Sequence, residues 1–148
     1  MTYKVKFVPE LREITTTKTQ NVLRIILGLF MLLAAIGHLS FQRTEFQSQV
    51  PDWVPMNKDL VVILSGILEG AFGLAMIFYK SKRVWVGIAL AVFFILIFPG
   101  NIGQYLNKIV AFGLDTDSAR LTRLFFQPLL VLWALWSTGA ISFLRGKK

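Results

Sequence analysis

The sequence predicts an all-α fold: an antiparallel bundle of four helices built to cross a lipid bilayer. Three observations predict it. Apolar residues fall into four long runs, at 22–39, 60–79, 84–98 and 124–143. At about 1.5 Å of rise per residue, eighteen to twenty residues cover roughly 27–30 Å, the thickness of a bilayer's hydrocarbon core. Finally, 55% of the 148 residues are hydrophobic, with 13 Phe and 4 Trp, more apolar material than a soluble domain of this size needs.

Residues 1–21 form a basic segment ahead of the first run, with Lys4, Lys6, Arg12 and Lys18. Tyr3 to Val8 alternates polar and apolar side chains. It suits either an anionic leaflet surface or a disordered basic tail. The first run reads as a span and not as a cleaved leader, because Pro9, Glu10 and Glu13 precede it and no small-residue cleavage pattern follows. The second run ends in Tyr79-Lys80-Ser81-Lys82-Arg83, a tight hairpin that makes spans two and three antiparallel neighbours. The third run is short and meets Pro99-Gly100, so it crosses only if the helix resumes through Leu106. Asp117-Ser118 is a candidate cap for a helix leading into the fourth run. The predicted organisation is thus residues 1–21 as a basic cytoplasmic segment, 22–143 as the membrane domain and 144–148 as a basic cytoplasmic tail.

Lysine and arginine counts orient the bundle. Eleven lie on the side holding the N-terminal segment with Arg24, the link between spans two and three, and the tail; five lie in the first and third loops. Both termini of this multi-pass protein are therefore expected on the cytoplasmic side. The net charge of +8 follows this topology and forms no continuous basic patch, so no nucleic-acid partner is expected.

Composition limits the chemistry. With no cysteine and one histidine, the chain cannot run thiol exchange or ligate an iron–sulfur cluster by cysteine, and it lacks the ligands of an ordinary zinc site. No phosphate-cradling glycine motif is present. No metal and no intrinsic cofactor are expected, and any electron carrier must come from elsewhere.

Glu69 is the sharpest anomaly. It lies about 13–14 Å below the outer end of span two, where a charged carboxylate costs on the order of 2.5–3.5 kcal/mol. It must face the bundle interior, neutral or paired. Ser65, Glu69 and Gly73 recur at i, i+4, i+8, with Gly66 and Gly70 beside them, as in a close helix–helix contact. Glu69 is then either a protonated side chain that locks two helices together or a ligand-facing, proton-handling group.

Other residues carry paired readings. Pro99 frees the carbonyl of Ile95, with Asn101 and Gln104 at hand as donors; the break is a structural kink or the wall of a polar pocket. His38 ends span one, facing water or serving a site. Trp53 reads as an interfacial anchor. Arg120, Arg123 and Gln127 share one face of the fourth helix, where they snorkel to headgroups or reach inward. The predicted topology puts all of these in the outer half above Glu69. The economical hypothesis is an outward-opening polar pocket with a carboxyl at its floor. Glu69 is the proton-handling candidate; His38, Trp53, Ser65, Asn101, Gln104, Arg120, Arg123 and Gln127 are the binding candidates.

In this order the pieces Gly37-His38, Pro51-Asp52-Trp53-Val54-Pro55, Ser65-Gly66-Ile67-Leu68-Glu69 with Gly73, Phe98-Pro99-Gly100-Asn101-Ile102, and Arg123 with Gln127-Pro128 resemble the DoxX family of small four-helix membrane proteins. The resemblance covers about residues 22–140. It implies a role near membrane redox chemistry, as a quinone-linked oxidoreductase subunit or in defence against oxidative stress, with a quinone as ligand. A distant branch that looks similar includes an assembly chaperone. The alternative function is therefore a scaffold without chemistry, whose small-residue face on span two packs against a partner protein or a second copy. A transporter is a weaker option, because no inverted repeat is visible.

Overall fold

A computed structural model describes residues 14–146. Among them 77% are helical and none lies in a strand. The helices are α1 (Lys18–Leu39), α2 (Arg43–Gln49), α3 (Lys58–Phe78), α4 (Arg83–Leu106), α5 (Asp117–Ser137) and α6 (Ala140–Leu144). A 3-10 turn, Lys80–Lys82, joins α3 to α4. The alternating stretch Tyr3 to Val8 lies outside the described residues.

Among the described residues three helices, not four, are long and apolar enough to cross a membrane: α1, α3, and α4 together with its preceding turn. The fourth apolar run is not one continuous helix. Gly139 adopts φ 80° and ends α5, and Thr138 Oγ1 turns back onto the Ala134 carbonyl at 2.7 Å. A left-handed residue there is cheap only for glycine. Its upstream end is polar, carrying Asp117, Arg120 and Arg123 into α5.

Local chemistry fixes the helix starts. Thr17 and Gln20 form a capping box on α1: Gln20 N donates to Thr17 Oγ1 at 3.1 Å and Thr17 N to Gln20 Oε1 at 2.9 Å. Asn57 caps α3, accepting from Asp59 N at 2.8 Å. The cap of α5 is Thr116, which accepts from Ala119 N at 3.1 Å. Asp117-Ser118 thus falls one step too late for the expected cap, and Asp117 instead pairs with Arg120.

Packing is uneven around the bundle. α1 and α3 pack extensively, as do α4 and α5, whereas α3 and α4 make few contacts, Phe72 on Phe93 among them. Glycine explains the first contact. A Cβ on Gly28 would stand 2.9 Å from the Gly73 carbonyl oxygen, and one on Gly73 2.8 Å from the Gly28 carbonyl oxygen. The small-residue face of α3 is therefore taken by α1 of the same chain. The buried core is Leu27, Met31, Met76, Leu90, Phe93, Phe94 and Ala134.

The outward surfaces of these helices are strongly apolar. Leu29, Phe30, Leu33 and Ile36 on α1, and Leu64, Ile67 and Leu74 on α3, are all more than two-fifths exposed. So continuous an exposed apolar surface calls for an apolar surrounding or a partner.

Arg24 departs from the position expected at a helix mouth. It is buried on α1, and its Nη1 donates to the carbonyl of Met76 and, at 3.4 Å, to that of Ile77. A guanidinium on the last free carbonyls of α3 complements the negative end of that helix.

Candidate functional site

A cavity of about 430 Å³ lies among α1, α3, α4 and α5, with α2 and the following loop also on its wall. Its lining is mostly apolar, from Leu27, Phe30, Phe94, Phe126, Leu130 and Trp133 among others. Seven of the singled-out polar or aromatic residues reach it: His38, Trp53, Ser65, Glu69, Asn101, Arg123 and Gln127. α1 supplies His38, α3 supplies Ser65 and Glu69, α4 supplies Asn101, and α5 supplies Arg123 and Gln127.

His38 and Glu69 are both buried, and His38 Nε2 stands 3.3 Å from Glu69 Oε2. The contact is off-line for a hydrogen bond, so that oxygen has no hydrogen-bond partner among the described residues. The other ring nitrogen, Nδ1, lies 3.3 Å from the Val62 carbonyl. A carbonyl only accepts, so that bond puts a proton on Nδ1. In the neutral ring Nε2 is then an acceptor that faces Oε2, an arrangement that a protonated carboxyl would complement without burying a net charge. His38 therefore does not face water, and Phe46 of α2 stacks on its ring at a centroid distance of 3.4 Å.

Arg123 lines the same cavity and makes no side-chain hydrogen bond or ion pair among the described residues, although Glu69 is near enough for the two charges to act on each other. Asn101 Nδ2 donates to Gln127 Oε1 at 3.0 Å, and Gln127 Nε2 donates to the Phe94 carbonyl at 2.8 Å. This amide chain ties α4 to α5 on both sides of Pro99, at Phe94 and at Asn101. α4 continues through Pro99 as helix. Asn101 and Gln104 do not serve the freed Ile95 carbonyl, since their amides are engaged elsewhere. Ser65 is half-buried, and Trp53 is 73% exposed at the edge of the cavity.

Two expected site residues lie elsewhere. Gln104 is buried beneath α2, accepting from Gln49 Nε2 at 2.6 Å and donating to the carbonyls of Ile109 and Ala111. Arg120 donates to the Leu114 carbonyl at 2.9 Å and to Asp117 Oδ1 at 2.7 Å, pinning the loop that precedes α5. Each meets local carbonyls before it can reach the cavity.

Sequence reasoning passed over α2, treating residues 40–59 as a loop. Three sets of contacts hold this short helix in place. Arg43 pairs with Asp59 through both carboxylate oxygens, joined by Gln47 Nε2 at 2.7 Å. Glu45 Oε2 accepts from Phe112 N at 2.7 Å, and Gln49 meets Gln104. The Arg43 guanidinium is held above its ordinary value, chiefly by its hydrogen bond to Asp59. In the adjoining loop the Lys58 ammonium, 2.6 Å away, holds the Asp52 carboxyl below the usual carboxylate range. The only signal in the sequence was the spacing of Phe46 and Val50, one helical turn apart.

No group of three or more His, Cys, Asp or Glu side chains among the described residues could hold a metal ion.

Residues 27–138 match a family described as a domain of unknown function, DUF8561. The chain belongs to that family. The match includes every residue that lines the cavity and replaces the resemblance to the DoxX family, to which the chain is not assigned. No curated protein and no solved structure matches the chain. The DUF8561 assignment brings no activity with it, so the chemistry has to be read from the residues.

Proposed function

We propose that this DUF8561 chain is an integral membrane protein of a cell membrane that binds a quinone-like molecule and exchanges protons with it. In this reading α5, less apolar because of its polar upstream end, spans beside α1, α3 and α4, with the termini and the Lys80–Lys82 turn on the cytoplasmic side. α2 and the loop before α5 then lie outside. The apolar outer faces of the helices and the distribution of lysine and arginine support this arrangement.

One observation carries the ligand reading: the His38–Glu69 pair and the free guanidinium of Arg123 face the same apolar cavity. A quinone has a flat apolar ring with oxygens at opposite ends. Arg123 would donate to one oxygen, and the His38–Glu69 pair would pass its proton to the other. Reduction of a quinone needs two electrons and two protons: the pair would give one proton, Arg123 would balance the charge of the resulting hydroquinone anion, and the second proton would come from water as the product leaves. No residue of this chain supplies electrons, so a partner oxidoreductase would deliver them and this chain would bind the ring and move protons.

Equilibrium binding of a quinone analogue to the purified protein tests the proposal, comparing wild type with Glu69→Gln and His38→Ala. Replacing Glu69 fixes an amide where the mobile proton was, and replacing His38 removes its carrier. Loss of about one buried charge-assisted hydrogen bond predicts binding weaker by roughly tenfold to a hundredfold in either variant. Equal affinities in all three proteins would remove the pair from the site.

A further inference from the structure

The shared turn holds α3 and α4 together at one end and Phe72 meets Phe93 at a ring-centroid distance of 5.4 Å farther along, but the two helices pack far less closely than α1 and α3 do. Their separation leaves a second concavity, a groove of about 620 Å³, away from the central cavity. Ala71, Ala75 and Ala89 keep it open, since larger side chains at these points would fill it. Tyr79, Lys82 and Trp85 stand at the end nearest the turn, and Leu68 lies at the other. From Leu68 to Tyr79 the helix rises about 16 Å, roughly the depth of one leaflet's hydrocarbon.

The charges at the turn end point to an occupant. Lys80 and Lys82 lie in the 3-10 turn, are exposed, and enter no ion pair among the described residues. Arg83 is engaged, donating to the carbonyls of Ile14 and Lys80. An apolar helix from a partner or a second copy would cover the alanines but leave both ammonium groups unanswered. An acyl chain below an anionic headgroup answers both, with Tyr79 and Trp85 at the depth that aromatic residues favour at a membrane interface.

We propose that the groove between α3 and α4 is a binding site for an anionic glycerophospholipid, its acyl chain along Ala71, Ala75 and Ala89 and its phosphate at Lys80 and Lys82. The assignment rests on the membrane-spanning reading above but not on the quinone. It places the lipid in the leaflet that contains the Lys80–Lys82 turn.

The experiment counts lipid bound to the full chain in mild detergent by native mass spectrometry, with phosphatidylglycerol and phosphatidylcholine as probes. One phosphatidylglycerol is expected to be retained in preference to phosphatidylcholine. Lys80→Gln and Lys82→Gln, on an exposed turn, should each lower that preference about fivefold. Ala75→Phe should reduce retention of both lipids, with helix content by circular dichroism serving as the check on folding. Equal retention of the two lipids by wild type would overturn the site, as would unchanged retention in Ala75→Phe. A lipid-free dimer that Ala75→Phe converts to monomer would assign the groove to a second copy instead. Release of the wild-type chain from membranes by alkaline carbonate would sink the spanning reading itself. A chain that stays embedded without lipid preference sinks this proposal alone.

Discussion

Gly66 of α3 lies directly against His38 of α1: a Cβ at Gly66 would come within 2.8 Å of the His38 Cβ. Absence of a side chain at one position therefore sets where the imidazole of the other can stand. Gly66→Ala should push His38 away from Glu69. It is expected to cost about 1–3 kcal/mol by overpacking, read as a lower unfolding temperature in detergent. On the proposed function it should also weaken quinone-analogue binding. Full stability with unchanged binding would show that α1 can shift without consequence.

Arg123 should matter through its charge and its planar fork. Arg123→Ala removes a donor that no other described residue uses, so stability should change little. Analogue affinity should fall by roughly tenfold to a hundredfold. Arg123→Lys should recover only part of it, because an ammonium cannot offer the same planar donor pair. A titration of the three proteins against one analogue decides this, and equal affinities would count against the ligand pose.

Arg24 predicts the opposite pattern. Its guanidinium serves the Met76 and Ile77 carbonyls at the far end of α3 and has no place on the cavity. Arg24→Met should lower stability by about 1.5–3 kcal/mol while analogue affinity stays as in wild type. A large loss of affinity without loss of stability would contradict that separation.

The tie between Arg43 and Asp59 is partly exposed, with side chains 40% and 39% accessible. Water and salt screen such a pair, so Arg43→Ala should change stability little. Its larger effect is expected on exchange, since α2 loses one of its anchors beside the cavity. Stopped-flow release of a fluorescent analogue should be faster in the variant, and an unchanged rate would argue that α2 does not control exit.

The proposed topology can be read chemically because the chain has no cysteine. Lys80→Cys should react with a membrane-impermeant maleimide only from the cytoplasmic face, and Lys108→Cys only from the opposite face. Labelling of both from one side would rule out passage of α4 across the bilayer.

Much of the architecture could be read from residue order, and the exceptions have physical causes. α1, α3 and α4 announce themselves through long apolar runs. The fourth run does not become one helix, because Gly139 takes a left-handed turn that a hydropathy pattern does not register. Glu69 stood out because an acid within an apolar run needs a partner, yet the sequence could not name His38 as that partner. Gln104 and Arg120 looked like Asn101 and Arg123, being polar residues near helix ends. What separates them is which loop carbonyls the chain happens to fold within reach. α2 was hidden because its polar residues, Arg43, Glu45, Gln47 and Gln49, look like loop composition until their distant partners are placed.

Anchoring α2 to α3, to α4 and to the backbone of Phe112 has a consequence for traffic. A solute arriving from water must loosen polar bonds to pass that helix. One dissolved among acyl chains would meet Phe30, Leu96 and Phe126, exposed apolar side chains of the cavity lining, whose rotation breaks no hydrogen bond. Partitioning would then enrich the guest beside the protein before any recognition occurs. Occupancy would follow the amount of guest dissolved in the lipid rather than its aqueous concentration, so even a weak site would stay filled.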